Sequence, residues 1–295
     1  MKRRNAFYSA LGILADMKLG EPPIQPHPLS VFAKIMRKLE HRFYSDSRLV
    51  GLGYAVSGGL IGTIGGLVLK STTCATYFAV AQKSLCSNAI EVARMLEVGD
   101  LDAARDLLPS LVGRDPTCLD EKEIARAVVE SVAENSVDAI VAPAIMGFIA
   151  GAPGALCYRA INTMDAMVGY RNARYQSFGW ASARMDDIAN FVPARLAVLL
   201  VALVRPGNAG QVWRITRRDG AQHPSPNSGV VEAAFAASLG IRLGGSNSYN
   251  GETEVRPSLG DGRSPEIEDI YLAVDLCREI TLALAGILIC IGIVL

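Results

Sequence analysis

Apolar and polar stretches alternate along the chain, and the longest apolar one predicts a membrane span. Residues 49–69 carry no charge and match the ~20 residues that cross ~30 Å of hydrocarbon at ~1.5 Å per residue. Glycines such as Gly58, Gly62 and Gly66 recur there at the spacing that lets helices approach closely in lipid. We therefore expect a transmembrane helix. A buried helix of a soluble protein is the alternative, but so many glycines would weaken it in water.

Three further apolar segments are candidate spans, at residues 139–157, 191–204 and 280–295. The first contains two prolines and Gly151, so it can span only if it is broken or packed inside a bundle. The other two are short for a perpendicular span. The number of spans therefore stays open at this point.

Two polar regions separate these segments, at residues 70–138 and 205–279. The first has a helical pattern with few breakers except GRDPT (residues 113–117), and the second is rich in Pro and Gly with a helix near residues 230–239. No strand-like alternation runs through the chain. The predicted fold is mainly α: a polytopic membrane helical bundle with helical and loop-rich cytosolic excursions, forming a single integral-membrane domain over residues 1–295.

Composition agrees with this fold and excludes one class of function. The chain is 50% hydrophobic with a mean hydropathy of +0.26, although 20% of its residues are charged. Its net charge of zero argues against a nucleic-acid binder, which needs a basic surplus.

The basic start of the chain could be mistaken for a signal peptide. Asp16 and Lys18 interrupt the apolar run that follows, so we expect a retained, membrane-associated helix.

An acidic stripe precedes the second apolar segment. Arg126, Glu130, Glu134 and Asp138 are spaced by four residues, which places them on one face of a helix, with Asn135 beside them. A solvated helical face with one ion pair is the plain alternative. Acidic side chains at the border of a membrane segment are costly, however, and they are usually functional. The stripe is therefore a candidate site.

A second polar group stands before the segment at residues 191–204. Asp186, Asp187 and Asn190 are three or four residues apart, and oxygen ligands in this arrangement suit Mg²⁺. Arg184 and Arg195 could clamp a phosphate or a carboxylate. An acidic helix surface is the alternative.

Weaker signals lie on both sides of this group. Asn162 and Asp165 form another pair three residues apart, and HPSPNSG (residues 223–229) precedes a helix whose N-terminus can attract anions. An ordinary capped loop is the alternative for the latter. No phosphate-binding GxxxxGK[ST] loop occurs, and the three histidines are too scattered for a histidine-based zinc site.

Taken together, these segments resemble the adenosylcobinamide-phosphate synthases, or cobinamide synthases, of cobalamin biosynthesis. The resemblance covers most of the chain and is strongest over residues 112–245. The motifs that carry it are DMKLGEPP (16–23) followed by HP (27–28), VGRDPTCLDEKEIARAVVESVAENSVDAIVAP (112–143), GAPGALCYRAINTMDAMVGYRNARYQSFGWASARMDDIANFVPARL (151–196) and HPSPNSGVVEAAFAASLGIRLGG (223–245).

The resemblance implies a reaction and its participants. The family joins the propionate carboxylate of adenosylcobyric acid to (R)-1-amino-2-propanol or its phosphate, with ATP and Mg²⁺ as the expected driver. It also implies a multi-pass protein of the cell (inner or plasma) membrane with a cytoplasmic active site, and other corrinoid-pathway enzymes as further partners. The segment between Val68 and Ser84 is shorter than its counterpart in most members of the family, which often carry another apolar span there. The number of spans therefore stays open.

We combine the patterns with the resemblance to predict roles for individual residues. Mg²⁺ is expected on Glu134, Asn135, Asp138, Asp186, Asp187 and Asn190. Catalytic roles are expected for Glu130, Arg184 and Arg195. Substrate contacts are expected from Arg114, Asp115, Asn162, Asp165, His223, Ser225, Asn227 and Ser228.

Two other functions compete with this reading. A non-catalytic membrane scaffold for corrinoid enzymes would need neither ATP nor Mg²⁺. A Mg²⁺-dependent transferase acting on isoprenoid diphosphates would explain the DDxxN pattern at residues 186–190 but not the GRDPT and HPSPNSG segments.

Overall fold

The computed structural model describes residues 2–113, 115–249 and 252–294. The helices of this part of the chain are α1 (Lys2–Leu19), α2 (Pro28–Phe43), α3 (Arg48–Leu69), α4 (Thr72–Ala79), α5 (Gln82–Glu97), α6 (Leu101–Leu107), α7 (Glu121–Ser136), α8 (Ala142–Val168), α9 (Trp180–Val204), α10 (Ala209–Asp219), α11 (Ser228–Leu239) and α12 (Ile267–Val294). Strands β1 (Leu243–Tyr249) and β2 (Glu252–Leu259) form an antiparallel pair. The mainly α prediction is confirmed.

The chain divides into two compact units, which are described separately. The first unit comprises Met1–Ala81, Asp138–Val192 and Ala285–Leu295, and the second comprises Gln82–Val137 and Pro193–Leu284. The single integral-membrane domain over residues 1–295 stays a prediction.

In the part of the chain that the structure describes, four helical stretches are long and apolar enough to cross a membrane, which makes this a multi-pass membrane protein. They are α3, the continuous stretch Glu121–Val168 that contains α7 and α8, α9, and α12. The predicted segments at 191–204 and 280–295 were too short, because α9 has 25 residues and α12 has 28. Both helices carry charged residues ahead of the predicted segments, in the second turn of α9 and through the first half of α12. These charges hid the true helix starts in the hydropathy pattern.

In the first unit, glycines bring α3 and α8 into close contact. A Cβ atom on Gly62 would lie 2.5 Å from the carbonyl oxygen of Leu156, and one on Gly66 would lie 2.4 Å from the Cα atom of Pro153. The predicted four-residue glycine spacing on α3 is therefore confirmed as a packing face. The opposite side of α3 exposes Leu52, Val56, Leu60, Ile64 and Leu67, as expected of a surface that faces lipid.

Helix α8 is broken, which was one of the two alternatives that its sequence left open. Gly151 has a φ of 67° and a ψ of −151°, which only glycine adopts without strain, and Pro153 follows two residues later. The break separates the apolar first part of α8 from a second part that carries Tyr158, Arg159 and Asn162. The break thus lies between the apolar start of α8 and the turns that carry its polar side chains.

The second unit contains α5, α6, α7, α10, α11 and the β hairpin. Helix α7 starts at a capping box, in which Asp120 and Glu123 each accept a hydrogen bond from the other's backbone N–H. Helix α7 packs against α5, α11 and β1. The predicted helix near residues 230–239 is confirmed as α11, but α10 and the hairpin stand where loops were expected.

Ion pairs between arginines and buried carboxylates hold the end of the hairpin and the start of α12 within this unit. The carboxylate of Asp219, at the end of α10, accepts hydrogen bonds from the Gly260 N–H at 2.9 Å and from the Arg218 guanidinium at 2.6 Å. Arg218 holds the pKa of Asp219 below its usual range. Arg263 similarly contacts the buried carboxylate of Asp269 in the first turn of α12.

The glycine contact predicts a difference between two substitutions on the same helix. Gly62→Ala puts a methyl group against the Leu156 carbonyl, whereas Gly53→Ala meets no atom within 4 Å. Both changes raise helix propensity equally, so their difference isolates the contact. We expect Gly62→Ala to be less stable than Gly53→Ala by about 1–3 kcal/mol, a typical cost of overpacking. Thermal unfolding in detergent measures this, and equal stabilities would contradict the packing.

Candidate functional site

A cluster of acidic and amide side chains occupies the first unit. The Nδ2 atom of Asn162 donates to both carboxylates, lying 3.2 Å from Oδ2 of Asp138 and 3.3 Å from Oδ1 of Asp186. The amide of Asn190 donates to the other oxygen of Asp186 at 2.9 Å. Asp186 and Asn190 are buried, and Asp138 and Asn162 are half-buried. We call Asp138, Asn162, Asp186 and Asn190 the aspartate–asparagine cluster.

Local helix geometry positions each side chain of this cluster. Asp138 lies in a π-helical turn, Val137–Val141, of a kind that often marks functional sites. Asp186 and Asn190 are one turn apart on α9 and share a face, as the sequence predicted. The hydroxyl of Tyr158 donates to Oδ1 of Asn190 at 2.8 Å, and Tyr158 itself lies one turn before Asn162 on α8. Sequence analysis missed Tyr158, although its four-residue spacing from Asn162 was a signal.

The donor set of the cluster suits a hard divalent cation. Mg²⁺ is usually held by one or two carboxylates, with water and phosphate oxygens completing its shell. Asp138 and Asp186 supply two carboxylates, and the amide nitrogens of Asn162 and Asn190 donate to them. No three His, Cys, Asp or Glu side chains of the described residues come together as a metal-binding group. The magnesium site therefore stays a prediction, with two carboxylates at its centre.

The other predicted residues of the first unit lie outside this cluster. Asp187 faces a neighbouring cavity, where its carboxylate is 3.3 Å from Nη1 of Arg184. Asp165 lies in the last turn of α8, where its carbonyl accepts the Gly169 N–H. The structure therefore separates the consecutive residues Asp186 and Asp187, which had been predicted to bind one metal ion.

The second unit has its own polar cluster, built on α7 and the HPSPNSG segment. Oε1 of Glu134 accepts the hydroxyl of Ser228 at 2.6 Å, and Oε1 of Glu130 accepts the N–H of Gly244 at 2.8 Å. One turn earlier, the Arg126 guanidinium donates to the Gly244 carbonyl. The predicted stripe of Arg126, Glu130 and Glu134 is thus one face of α7 that contacts the start of β1 and the HPSPNSG segment. Asn135 turns away from this face and donates to the carbonyl of Ser131.

The HPSPNSG segment is a tightly bonded loop before α11. The hydroxyl oxygen of Ser225 accepts the N–H groups of Asn227 and Ser228 at 3.3 and 3.2 Å. Arg195 fixes the loop from outside, donating to Oδ1 of Asn227 at 2.9 Å and to the Pro226 carbonyl at 3.0 Å. In this structure Arg195 therefore positions the loop.

His223 is buried at the start of this loop. Its Nδ1 atom accepts the Ser225 N–H at 3.1 Å, and its Nε2 atom lies 3.8 Å from Oε1 of Glu232. Burial lowers the pKa of His223, and the positive charge of Arg256 lowers it further. Sequence analysis missed Glu232 and Arg256. Glu232 had a clear signal, because it is the only charged residue of the apolar helix α11.

Two predicted substrate residues lie in the GRDPT segment. Asp115 accepts the N–H and hydroxyl of Thr117 at 3.0 and 2.8 Å, and these bonds lower its pKa. Arg114 lies outside the described residues. Nothing in the described contacts joins Asp115 to either polar cluster, so its role stays a prediction.

The fold and the two clusters define the class: a multi-pass α-helical membrane protein that carries acidic and amide side chains within and beside its spanning helices. Comparison with known proteins gives the family. The model of the CobD/Cbib protein family matches residues 9–277, and the chain belongs to that family. No solved structure matches it.

Three curated relatives carry the name cobalamin biosynthesis protein CobD. The Mycobacterium tuberculosis (strain H37Rv) protein is 45% identical over 285 residues, which cover 92% of this chain and 90% of the relative. The Geobacter metallireducens protein is 42% identical over 277 residues, 86% of each chain. The Clostridium perfringens protein is 38% identical over 284 residues, covering 88% of this chain and 90% of the relative. The protein therefore has a role in cobalamin biosynthesis.

Burial of His223 predicts a pH dependence of stability. Its pKa in the folded protein is below the ordinary value of 6.5, so at lower pH the unfolded chain binds a proton that the folded chain does not. The contribution of neutral, buried His223 to the stability of the folded protein is fully present above pH 6.5 and is lost as the pH falls below it. We expect the melting temperature to drop between pH ~7.5 and ~5.5, and to drop less in His223→Gln. Equal drops in both proteins would contradict this burial effect.

Proposed function

We propose that the protein joins the propionate carboxylate of adenosylcobyric acid to (R)-1-amino-2-propanol or its phosphate, at the expense of ATP. The product is adenosylcobinamide or its phosphate. One observation carries the proposal: a member of a cobalamin-biosynthesis family gathers Asp138, Asn162, Asp186 and Asn190 beside its apolar helices. Buried carboxylates at such positions are costly and usually serve function.

The chemistry requires an activated carboxylate, because an anionic carboxylate resists attack by an amine. In the proposed reaction a carboxylate oxygen attacks the γ-phosphorus of ATP, ADP leaves, and an acyl phosphate forms. The amine nitrogen then attacks the acyl carbon, phosphate leaves, and the nitrogen loses a proton. Negative charge builds on phosphate oxygens in both steps, so fixed positive charge near them lowers the barrier.

The aspartate–asparagine cluster has the donors for this task. Asp138 and Asp186 would hold Mg²⁺, with Asn162 and Asn190 orienting their carboxylates through the hydrogen bonds described above. When bound, the ion would neutralise phosphate charge and orient the nucleotide. Tyr158 would keep Asn190 in place by donating to its amide oxygen.

The second unit would serve the organic substrates. We assign the carboxylate of Glu134 and the loop residues His223, Ser225 and Ser228 to substrate contacts. In this assignment Glu130 and Arg195 act through the segments that they hold, the start of β1 at Gly244 and the HPSPNSG loop at Asn227. The site would open to the cytoplasm from the cell membrane, because ATP is a cytoplasmic substrate, and other corrinoid enzymes would supply its substrate.

A product assay tests the reaction. Protein solubilised in detergent is incubated with adenosylcobyric acid, ATP and Mg²⁺, and with aminopropanol or its phosphate in separate reactions. We expect the mass of the amide with one of the two amines, and ADP formation that is sustained over many turnovers only when both corrinoid and amine are present. A non-catalytic scaffold would give neither product nor ADP, and that result would overturn the proposal. Incubation with isoprenoid diphosphates tests the transferase alternative.

Adjacent aspartates provide a matched test of the metal site. Asp186→Asn removes a carboxylate of the cluster, whereas Asp187→Asn removes one that pairs with Arg184 in the neighbouring cavity. We expect Asp186→Asn to weaken binding of Mn²⁺, used as a paramagnetic probe for Mg²⁺, by roughly tenfold or more. Asp187→Asn is expected to change it far less. If Asp187→Asn has the larger effect, the metal lies elsewhere.

A further inference from the structure

The first unit contains a second feature, a positively charged cavity of about 320 Å³ beside the aspartate–asparagine cluster. The first residue of α3, the loop between α8 and α9, and the first two turns of α9 line it. Three arginines from these three segments face the same space. The residues that line this arginine cavity include Arg48, Tyr170, Arg171, Trp180, Arg184 and Asp187.

The charge of this arginine cavity is unbalanced. Asp187 is its one carboxylate, and it pairs with Arg184 at 3.3 Å. Among the side chains that the structure describes, neither Arg48 nor Arg171 has a carboxylate within 4.0 Å. The Arg48 guanidinium instead lies over the Trp180 ring, 5.3 Å from its centroid. The excess of two positive charges matches a phosphate group, which carries about −1.5 to −2 at neutral pH.

The loop that presents Arg171 is held firmly. Glu40, a nearly buried carboxylate on α2, accepts hydrogen bonds from Arg174 at 3.0 Å and from the Tyr175 hydroxyl at 2.9 Å. The Tyr44 hydroxyl donates to the Arg174 carbonyl at 2.8 Å, and the Arg174 guanidinium lies 4.4 Å from the centroid of the Tyr44 ring. A binding loop fixed before the ligand arrives loses little entropy on binding.

We propose that the arginine cavity binds the phosphate group of a phosphorylated ligand through Arg48, Arg171 and Arg184. Guanidinium groups suit phosphate because their N–H donors match its oxygens in pairs. Like charges repel each other in this space, and a phosphate between them removes that repulsion. The inference rests on the proposed function only for the identity of the molecule that bears the phosphate. Under that function the molecule is ATP or the phosphorylated amine. A phospholipid headgroup is the other source of the same chemistry.

Tryptophan fluorescence offers a direct binding test that needs no turnover. The chain has two tryptophans, and Trp213→Phe leaves Trp180, in the cavity, as the single reporter. Full-length Trp213→Phe protein in detergent is titrated with inorganic phosphate, ATP without metal, aminopropanol phosphate and free aminopropanol. Nanodiscs of anionic or of zwitterionic phospholipid test the lipid source. We expect a phosphate compound to change the Trp180 emission and free aminopropanol to leave it unchanged.

Matched arginine variants in the same background assign the effect to the cavity. Arg171→Gln and Arg48→Gln should each weaken phosphate binding roughly tenfold, as expected when one charge-assisted hydrogen-bonding group is lost. Arg42→Gln removes the same charge from an exposed position of α2 that does not line the cavity, and it should stay within about twofold of the parent. Arg171→Lys keeps the charge without the paired donors, so it should fall between the parent and Arg171→Gln.

The outcomes separate this inference from the proposed reaction. Unchanged emission with every phosphate compound, or equal losses in Arg171→Gln and Arg42→Gln, would overturn the cavity assignment even if the product assay succeeds. Phosphate binding that depends on Arg171 without amide formation would support the cavity and refute the reaction. A response to anionic nanodiscs alone would support phosphate binding with a lipid headgroup as the source.

Discussion

The amide of Asn162 lies between two carboxylates, and the chemistry proposed for the first unit depends on that contact. Asp138 and Asp186 would repel each other among apolar helices, where charges are weakly screened and a buried charge without a partner is costly. Asn162 donates to both, and Asn190 donates to the far oxygen of Asp186. These bonds join the π-helical turn, α8 and α9 at one point. They also leave the carboxylate pair partly compensated, a state that a divalent cation could complete.

Helix packing sets the position of this contact. The glycines of α3 let it approach the backbone of α8 at Leu156 and Pro153, directly before the turns that carry Tyr158 and Asn162. The break at Gly151 redirects the helix just ahead of this contact. Closely spaced glycines are a common means of helix packing in membranes, and here they hold the polar end of α8 against α3. Packing and chemistry therefore lie close together on the part of α8 that follows the break.

Sequence patterns predicted what repeats within a helix and missed what depends on contacts between elements. Four-residue spacing correctly placed Glu130 with Glu134 and Asp186 with Asn190, because helix periodicity alone decides those faces. It could not show that Asn162 joins Asp138 to Asp186, that Ser228 meets Glu134, or that Arg195 holds a loop, since these contacts join residues distant in sequence. The hairpin was also missed, although the Asn250-Gly251 dipeptide between its strands is a strong hairpin signal.

The separation of Asp186 from Asp187 connects the two sites of the first unit. Consecutive residues of a helix point about 100° apart, so one carboxylate joins the aspartate–asparagine cluster while the next faces the arginine cavity. Two successive turns of α9 therefore carry oxygen ligands suited to Mg²⁺ on one face and a cationic surface suited to phosphate on the neighbouring face. Mg²⁺ bound to a nucleotide needs both surroundings at once, because the ion takes oxygen ligands while the remaining phosphate charge needs cations. Within this unit, α9 supplies them in adjacent positions, which favours phosphate chemistry there over a purely structural role for its charged residues.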